Sequence, residues 1–334
     1  MATLQSTSIT GSICILNTPN SSSAGNLWFD SNSNTLRLSY CYIGGVPVGT
    51  KSLNAGRTLL AGAGTQNSTI VFGGANGVTP SACGCTETWN GSSWCTSTNL
   101  ITARASLAGV GSSTTALAFG GAPAARTSVL ACNELYCCSA WSVAGALITA
   151  RWGLAGSGTA NDALSIGGAT LPTCVTLNCV QAYNGSTWSS KTGLINGRNW
   201  SAAGGPSTSD TLVIGGNVVN SPGFPGTLSG ATEKFNGSSW STLASLNTSR
   251  CQLSGGITSG FATVFGGTNI GASSVESFNG STWSTCRNLI VGRGGSAGTG
   301  TYASALISGG SNPAGQPCTE CYTLYNEIFV CTIP

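Results

Sequence analysis

The sequence predicts an all-β chain: a six-bladed β-propeller preceded by an N-terminal strand and hairpin. Three observations carry this. An arginine recurs at Arg57, Arg104, Arg151, Arg198, Arg250 and Arg293, at intervals of 47, 47, 47, 52 and 43 residues. A glycine pair follows each arginine after 16 residues, or 17 in the fourth unit, from Gly73-Gly74 to Gly309-Gly310. Trp94, Trp141, Trp188, Trp240 and Trp283 each stand ten residues before the next arginine, and the sixth unit has Phe329 and Val330 at that place. Self-similarity at this period, with no helical periodicity, marks small sheets stacked round an axis.

The chain divides at residue 52. Before it, Leu4, Ile9, Ile13 and Ile15 alternate weakly and read as an extended strand, and Asn17 to Gly25 is a Ser, Asn and Pro linker. Gly25 to Asp30, a polar turn at Ser31 to Asn34, and Leu36 to Tyr40 read as a β-hairpin. Residues 53–334 hold the repeats. In each, Arg-x-x-Leu-Ala-Gly or its variant opens strand one. An apolar run such as Thr69-Ile70-Val71-Phe72 forms strand two and ends at the glycine pair, which permits a backbone turn closed to other residues. Strand three carries Glu or Gln and then an aromatic: Glu87 and Trp89, Glu134 and Tyr136, Gln181 and Tyr183, Glu233 and Phe235, Glu276 and Phe278. Asn-Gly follows in four units, a two-residue hairpin signal. Strand four holds the tryptophan. No repeat is visibly split between the termini, so closure rests on packing unit six against unit one unless the N-terminal arm adds a strand.

Length variation is confined almost wholly to one segment. From the glycine pair to four residues before the tryptophan place the count is 17 in four units, 21 in the fourth and 13 in the fifth. A constant frame with one variable insert means a packed frame and a surface loop. Strand alternation puts these inserts and the four-to-one connections on one face. The candidate ligand or partner residues there are Arg126, Asn217, Asn220, Phe224, Asn269 and Asn312, with Phe224, between turn formers, either an exposed apolar anchor or folded back over the fourth blade.

The frame of arginine, apolar run to Gly-Gly, Glu-x-aromatic-Asn and tryptophan resembles the Kelch repeat over residues 53–334. The resemblance implies a six-bladed propeller whose insert face holds the partner. The opening Met1 to Gly11 and the Gly-x-Leu-Trp-Phe-Asp hairpin resemble the attachment regions of bacteriophage tail fibres and related virion proteins. That resemblance implies a virion protein attached to other virion proteins through its arm. The alternative for this arm is a strand that caps or closes the ring.

Charged residues make up 6% of the chain and the net charge is +3, which supplies no basic patch for nucleic acid. The repeat arginines and strand-three glutamates are expected to bridge strands or blades; a cationic ring round the axis is the alternative. No run is long and apolar enough to cross a membrane. There are fifteen cysteines. Cys85, Cys132, Cys179 and Cys321 are read as one repeat position. The spacing predicts cross-strand disulfides Cys85–Cys95 and Cys321–Cys331, with Cys174 in reach of Cys179 and Cys132 in reach of Cys137 or Cys138. An odd total leaves a thiol free or intermolecular. Disulfides argue for an oxidising destination, whereas Met1 to Gln5 carries no secretory signal; release by lysis, as for a virus particle, reconciles the two.

With no histidine in the chain, Ser-His-Asp and Cys-His nucleophile sites are excluded, as are the histidine ligands of copper-dependent Kelch oxidases. Asp30, Asp162 and Asp210 are scattered, whereas a glycosidase needs two facing carboxylates. The expectation is a non-enzymatic fibre protein that recognises a host-surface glycan or protein, without cofactor or metal, as a homo-oligomer. The alternative is a disulfide-tied decorating subunit without a receptor role.

Overall fold

The computed structural model describes residues 26–30, 35–76, 81–123, 127–221, 226–268, 273–312 and 314–330. It separates into two compact units. Residues 1–42 with 326–334 form one, in which Asn26–Asp30 pairs antiparallel with Thr35 to Ser39, the hairpin expected from the sequence. Ile43–Tyr325 forms the other, a six-bladed propeller of antiparallel sheets with no helix among the described residues.

The innermost strands of the blades are Ala61–Thr65, Ala108–Gly111, Ala155–Gly158, Ala202–Ser207, Ser254–Ile257 and Ala297–Gly300. Each touches the next, and the last touches the first. They are built mostly of Ala, Gly and Ser because strands converging on an axis leave little room for more. A Cβ on Gly109 would lie 2.5 Å from the Phe72 ring, and one on Gly156 would lie 2.9 Å from Phe119. The second strands, such as Ser68–Phe72, Thr115–Phe119 and Asp210–Ile214, are sandwiched between neighbouring sheets, so their apolar residues are buried on both faces.

The main core clusters lie between neighbouring blades. Ile70 and Phe72 of blade one pack with Leu107, Ala118 and Trp141 of blade two. The same arrangement continues round the ring to Ala297 and Leu306 of blade six against Leu60, Val71 and Trp89 of blade one. Tryptophan is the staple. Its indole N–H donates to a carbonyl just past the outer strand of the preceding blade: Trp141 to Thr98, Trp188 to Gly145, Trp240 to Thr192 and Trp283 to Ala244, at 2.9–3.1 Å.

Trp94 of blade one makes the same bond to Lys51, which shows how the ring closes. Blade six takes its outer strand from the N-terminal side: Thr35–Thr50 lies next to Thr319–Val330 in the sheet order. The ring unit therefore begins at Ile43, ahead of the division at residue 52 read from the repeats. The arm's added strand, left open by the sequence, is the arrangement found.

Three sequence expectations are corrected here. First, the Asn-Gly turns are four-residue turns rather than two-residue ones. Only the glycine has positive φ, as Gly91 does at 94°. Asn90 Oδ1 instead accepts the backbone N–H groups of Ser92 and Ser93, and Asn184, Asn236 and Asn279 repeat this. Blade two alone among these has a two-residue turn, with Cys138 and Ser139 both at positive φ. Second, the longer turn pairs Trp89 with Trp94, so Cys95 faces Thr88, three residues away from Cys85. Cys85 is bonded to Cys83, and Cys95 is an exposed free thiol. Cys132, Cys137, Cys138, Cys174 and Cys179 are also free thiols. Cys174 packs with Trp152 and Ala169, whereas the Cys179 carbonyl is held by the Gly167 N–H. Cys331 lies outside the described residues, and with it the Cys321–Cys331 pair. Third, the repeat cysteine of blade six is Cys318, not Cys321. Arg293 Nη1 donates to the Cys318 carbonyl at 2.6 Å as Arg104 Nη1 does to that of Cys132 at 2.5 Å.

Candidate functional site

The face carrying the four-to-one connections and the inserts is organised by the repeat arginine and the strand-three acid. All six arginines are buried, none more than 3% exposed, which rules out a solvent-facing cationic ring. Arg57 meets Glu87 and Arg104 meets Glu134, each at 2.5 Å; Arg198 meets Glu233; Arg250 meets Glu276 at 3.0 Å; Arg293 meets Glu320. The pairing is within each blade. The second carboxylate oxygen accepts a backbone N–H from the connection entering that blade: Asn54 at 2.8 Å, Ile101 at 2.6 Å, Ile195 at 2.9 Å, Asn247 at 2.7 Å and Ile290 at 2.8 Å. One carboxylate thus neutralises the guanidinium and pins the loop. In blade three Gln181 Oε1 accepts the Ile148 N–H at 3.2 Å but brings no charge to Arg151. Burial pushes Arg151 down to about 10, an effect that the nearby Cys179 opposes; Arg198 and Arg250 are also lowered by burial, against the pull of Glu233 and Glu276.

Pinning the connections has a surface consequence. The leucine before each pinned position is buried, and the residue after it is turned outward. Ile101, Ile148, Ile195 and Ile290 are 54–62% exposed at one equivalent position in blades two, three, four and six. Asn54 and Asn247 take that position in blades one and five. Four bulky aliphatic side chains held out at matching places form an interrupted apolar arc on this face, three of them on consecutive blades. The signal was present in the repeated Leu-Ile before Arg, but it reads as core until the alternation of inward and outward residues is known.

At the axis of the same face the residue two after each arginine adopts the left-handed region: Leu59, Ser106, Gly153, Trp200, Gln252 and Gly295, φ 53° to 64°. Each N–H donates to the carbonyl of its counterpart in the previous blade, at 2.7–2.9 Å, and Leu59 donates to Gly295. The six bonds form a closed circle. A second circle surrounds it: the second glycine of each pair donates to the arginine carbonyl of the following blade, from Gly74 to Arg104 round to Gly310 to Arg57. The first circle lines a depression of about 120 Å³, walled by Leu60, Leu107, Leu154 and Leu253.

Of the residues singled out in the sequence, Arg126, Phe224 and Asn269 lie outside the described residues. Asn217 is structural: its backbone pairs with Asn199, and it begins the small ladder Asn217–Val218 with Thr227–Leu228. Asn220 is exposed. Asn312 is exposed but tied to the connection entering blade six, its amide donating to the Gly292 carbonyl at 2.9 Å. The blade-three and blade-four inserts are tied together through Thr176 and Val219. Asp162 accepts from the Thr208 N–H at 3.3 Å, and Asp210 lies 3.4 Å from Lys234. Among the described residues there is no group of three His, Cys, Asp or Glu placed to hold a metal ion.

No protein-family profile matches the chain, and no curated protein does. A solved structure described as that of YjhT is similar over 85% of this chain and 99% of its own length, with a TM-score of 0.68 and 13% identity. At that identity the likeness speaks to architecture alone, and with the sheet order it establishes the chain as a six-bladed β-propeller.

Proposed function

We propose that this chain is a non-enzymatic virion protein, a Kelch-like propeller of a bacteriophage tail or head fibre that recognises a host surface through its insert face. The carrying observation is where the side chains are spent. The repeat acids and arginines are consumed inside the blades, while four isoleucines are held outward on one face. That arrangement supplies apolar contact area rather than acid–base groups, which suits binding. The test is competition: purified chain at saturation should block adsorption of particles to host cells. The double variant Ile148→Asp with Ile195→Asp, folded to the same melting temperature, should not. Undiminished adsorption in the presence of wild-type chain would reject the receptor role.

A second reading has its own observation. Cys137 and Cys138 sit exposed at the blade-two hairpin tip, their sulfurs 3.3 Å apart, where they would link neighbouring copies of a decorating subunit. Disulfide-linked multimers in particles under non-reducing conditions, lost on substituting both cysteines by serine, would favour it.

A further inference from the structure

Blade two turns its outer hairpin differently from blades one, three, four and five, and the difference places two sulfurs side by side. Cys137 ends the third strand, and Cys138 with Ser139 makes the turn. In a regular strand successive side chains point to opposite faces, which keeps adjacent sulfurs apart. Here Cys138 has φ 55° and Ser139 has φ 65°. The left-handed backbone turns Cys138 back on its neighbour, and the two sulfurs lie 3.3 Å apart. Both residues are exposed free thiols.

The tip is held by bonds that do not involve sulfur. Cys137 pairs with Ala140 across the hairpin, and the Ser139 carbonyl accepts the Thr98 hydroxyl of blade one at 2.6 Å. The backbone therefore brings the two thiols together before any reagent arrives. Access is open as well. Cys138 and Ser139 border a groove of about 810 Å³ between blades one and two, shared with Cys95, Thr96, Ser97 and Thr98. That is room for a polar, peptide-sized reagent.

We infer that Cys137 and Cys138 form a redox-modification site, which closes into one disulfide by exchange with a low-molecular-weight disulfide such as oxidised glutathione. One cysteine, as its thiolate, attacks a sulfur of the reagent. A new S–S bond forms, the reagent's S–S bond breaks and one glutathione thiolate leaves. The neighbouring cysteine, as its thiolate, then attacks the protein sulfur of that mixed disulfide and expels the second glutathione thiolate. Two protein thiols are oxidised, one reagent disulfide is reduced, and the two protons shed by the cysteines end on the released glutathione. Adjacent Cα atoms are about 3.8 Å apart, less than a disulfide usually spans, so the closed pair is readily reduced again. Closure at this tip is independent of the receptor role. It opposes the linking of copies through these thiols, because a closed pair has none left to share.

The test is oxidised glutathione added to the reduced, folded chain, quenched with N-ethylmaleimide and mapped without reduction by site-resolved mass spectrometry. The Cys137–Cys138 segment is expected to lose two hydrogens and to retain no glutathione. Cys95, an exposed free thiol with no sulfur contact among the described residues, should keep one glutathione. Dithiothreitol should restore both thiols of the pair. Cys137→Ser changes an exposed position and should melt as wild type does. It is expected to retain glutathione on Cys138 at least about tenfold more than wild type, because the second, intramolecular attack is lost. Glutathione retained on both cysteines of the wild-type chain would overturn the site. So would a bond from either of them to Cys95, to Cys132 or to a second copy, the last of which would favour the decorating subunit.

Discussion

Replacing Glu134 by glutamine isolates one of the two tasks of the strand-three acid. The amide oxygen can still accept the Ile101 N–H, as Gln181 does for Ile148. The contact with Arg104 at 2.5 Å, between side chains 0% and 2% exposed, loses its charge. Breaking a buried pair from one side costs about 3–5 kcal/mol because the surviving ion is left uncompensated. At roughly 2.1 cal/mol/K per residue, a unit the length of this ring has an unfolding entropy of about 0.6 kcal/mol/K. The melting temperature should then fall by about 5–8 °C. Calorimetry checks this, with Glu134→Ala falling further because it also frees the Ile101 N–H. A glutamine variant that melts within a degree of wild type would refute the claim that the carboxylate is there to neutralise the arginine.

Three further outcomes are expected. Burial, aided by the charge of Glu276 and opposed by a Tyr322 hydrogen bond, pushes the Cys286 thiol up to about 11 from a usual value near 9. The folded state then holds a proton that the unfolded state has released, so about 2–3 kcal/mol of stability is present below pH 9 and is lost as pH rises toward 11. Denaturant titrations across that window should show a shallower decline for Cys286→Ala. Asn236→Ala removes the acceptor of the Ser238 and Ser239 N–H groups at 3.0 and 2.9 Å, and should cost about 1 kcal/mol by the same measurement. Trp240→Phe leaves the Thr192 carbonyl without its 2.9 Å donor and should cost about 1–3 kcal/mol, against about 3–5 for Trp240→Ala.

What could be read from the sequence tracks what the hub requires. Arginine, glycine pair and tryptophan recur because each makes the same inter-blade or intra-blade bond in nearly every unit, and identical backbone geometry demands identical residues. Blade six was misaligned because it lacks the tryptophan and its insert is short: Glu320 follows Gly310 after ten residues, against thirteen from Gly74 to Glu87. The Cys85–Cys95 pairing fails because the turn extends beyond Asn-Gly. A turn longer by two residues moves every cross-strand partner with it. The outer strand of blade six carries no repeat signature, since only its distant partner makes it a strand. On the insert face, Asn217 looked available because a loop asparagine is usually solvated; here a two-residue ladder uses its backbone. The isoleucine arc was hidden because apolar repeat positions are ordinarily core.

The borrowed outer strand has a bearing on how the chain is made. Ile43 to Thr50 leaves the ribosome before any blade exists, yet its partner, beginning at Thr319, is made only after the other five blades. Five blades can assemble in order behind it, while the sixth has to wait for the strand that begins at Thr319 to emerge. Until then a nascent strand edge stays unmatched and open to pairing with other chains. The latch that makes the finished disc whole is also the step at which a growing chain is most exposed to misassembly.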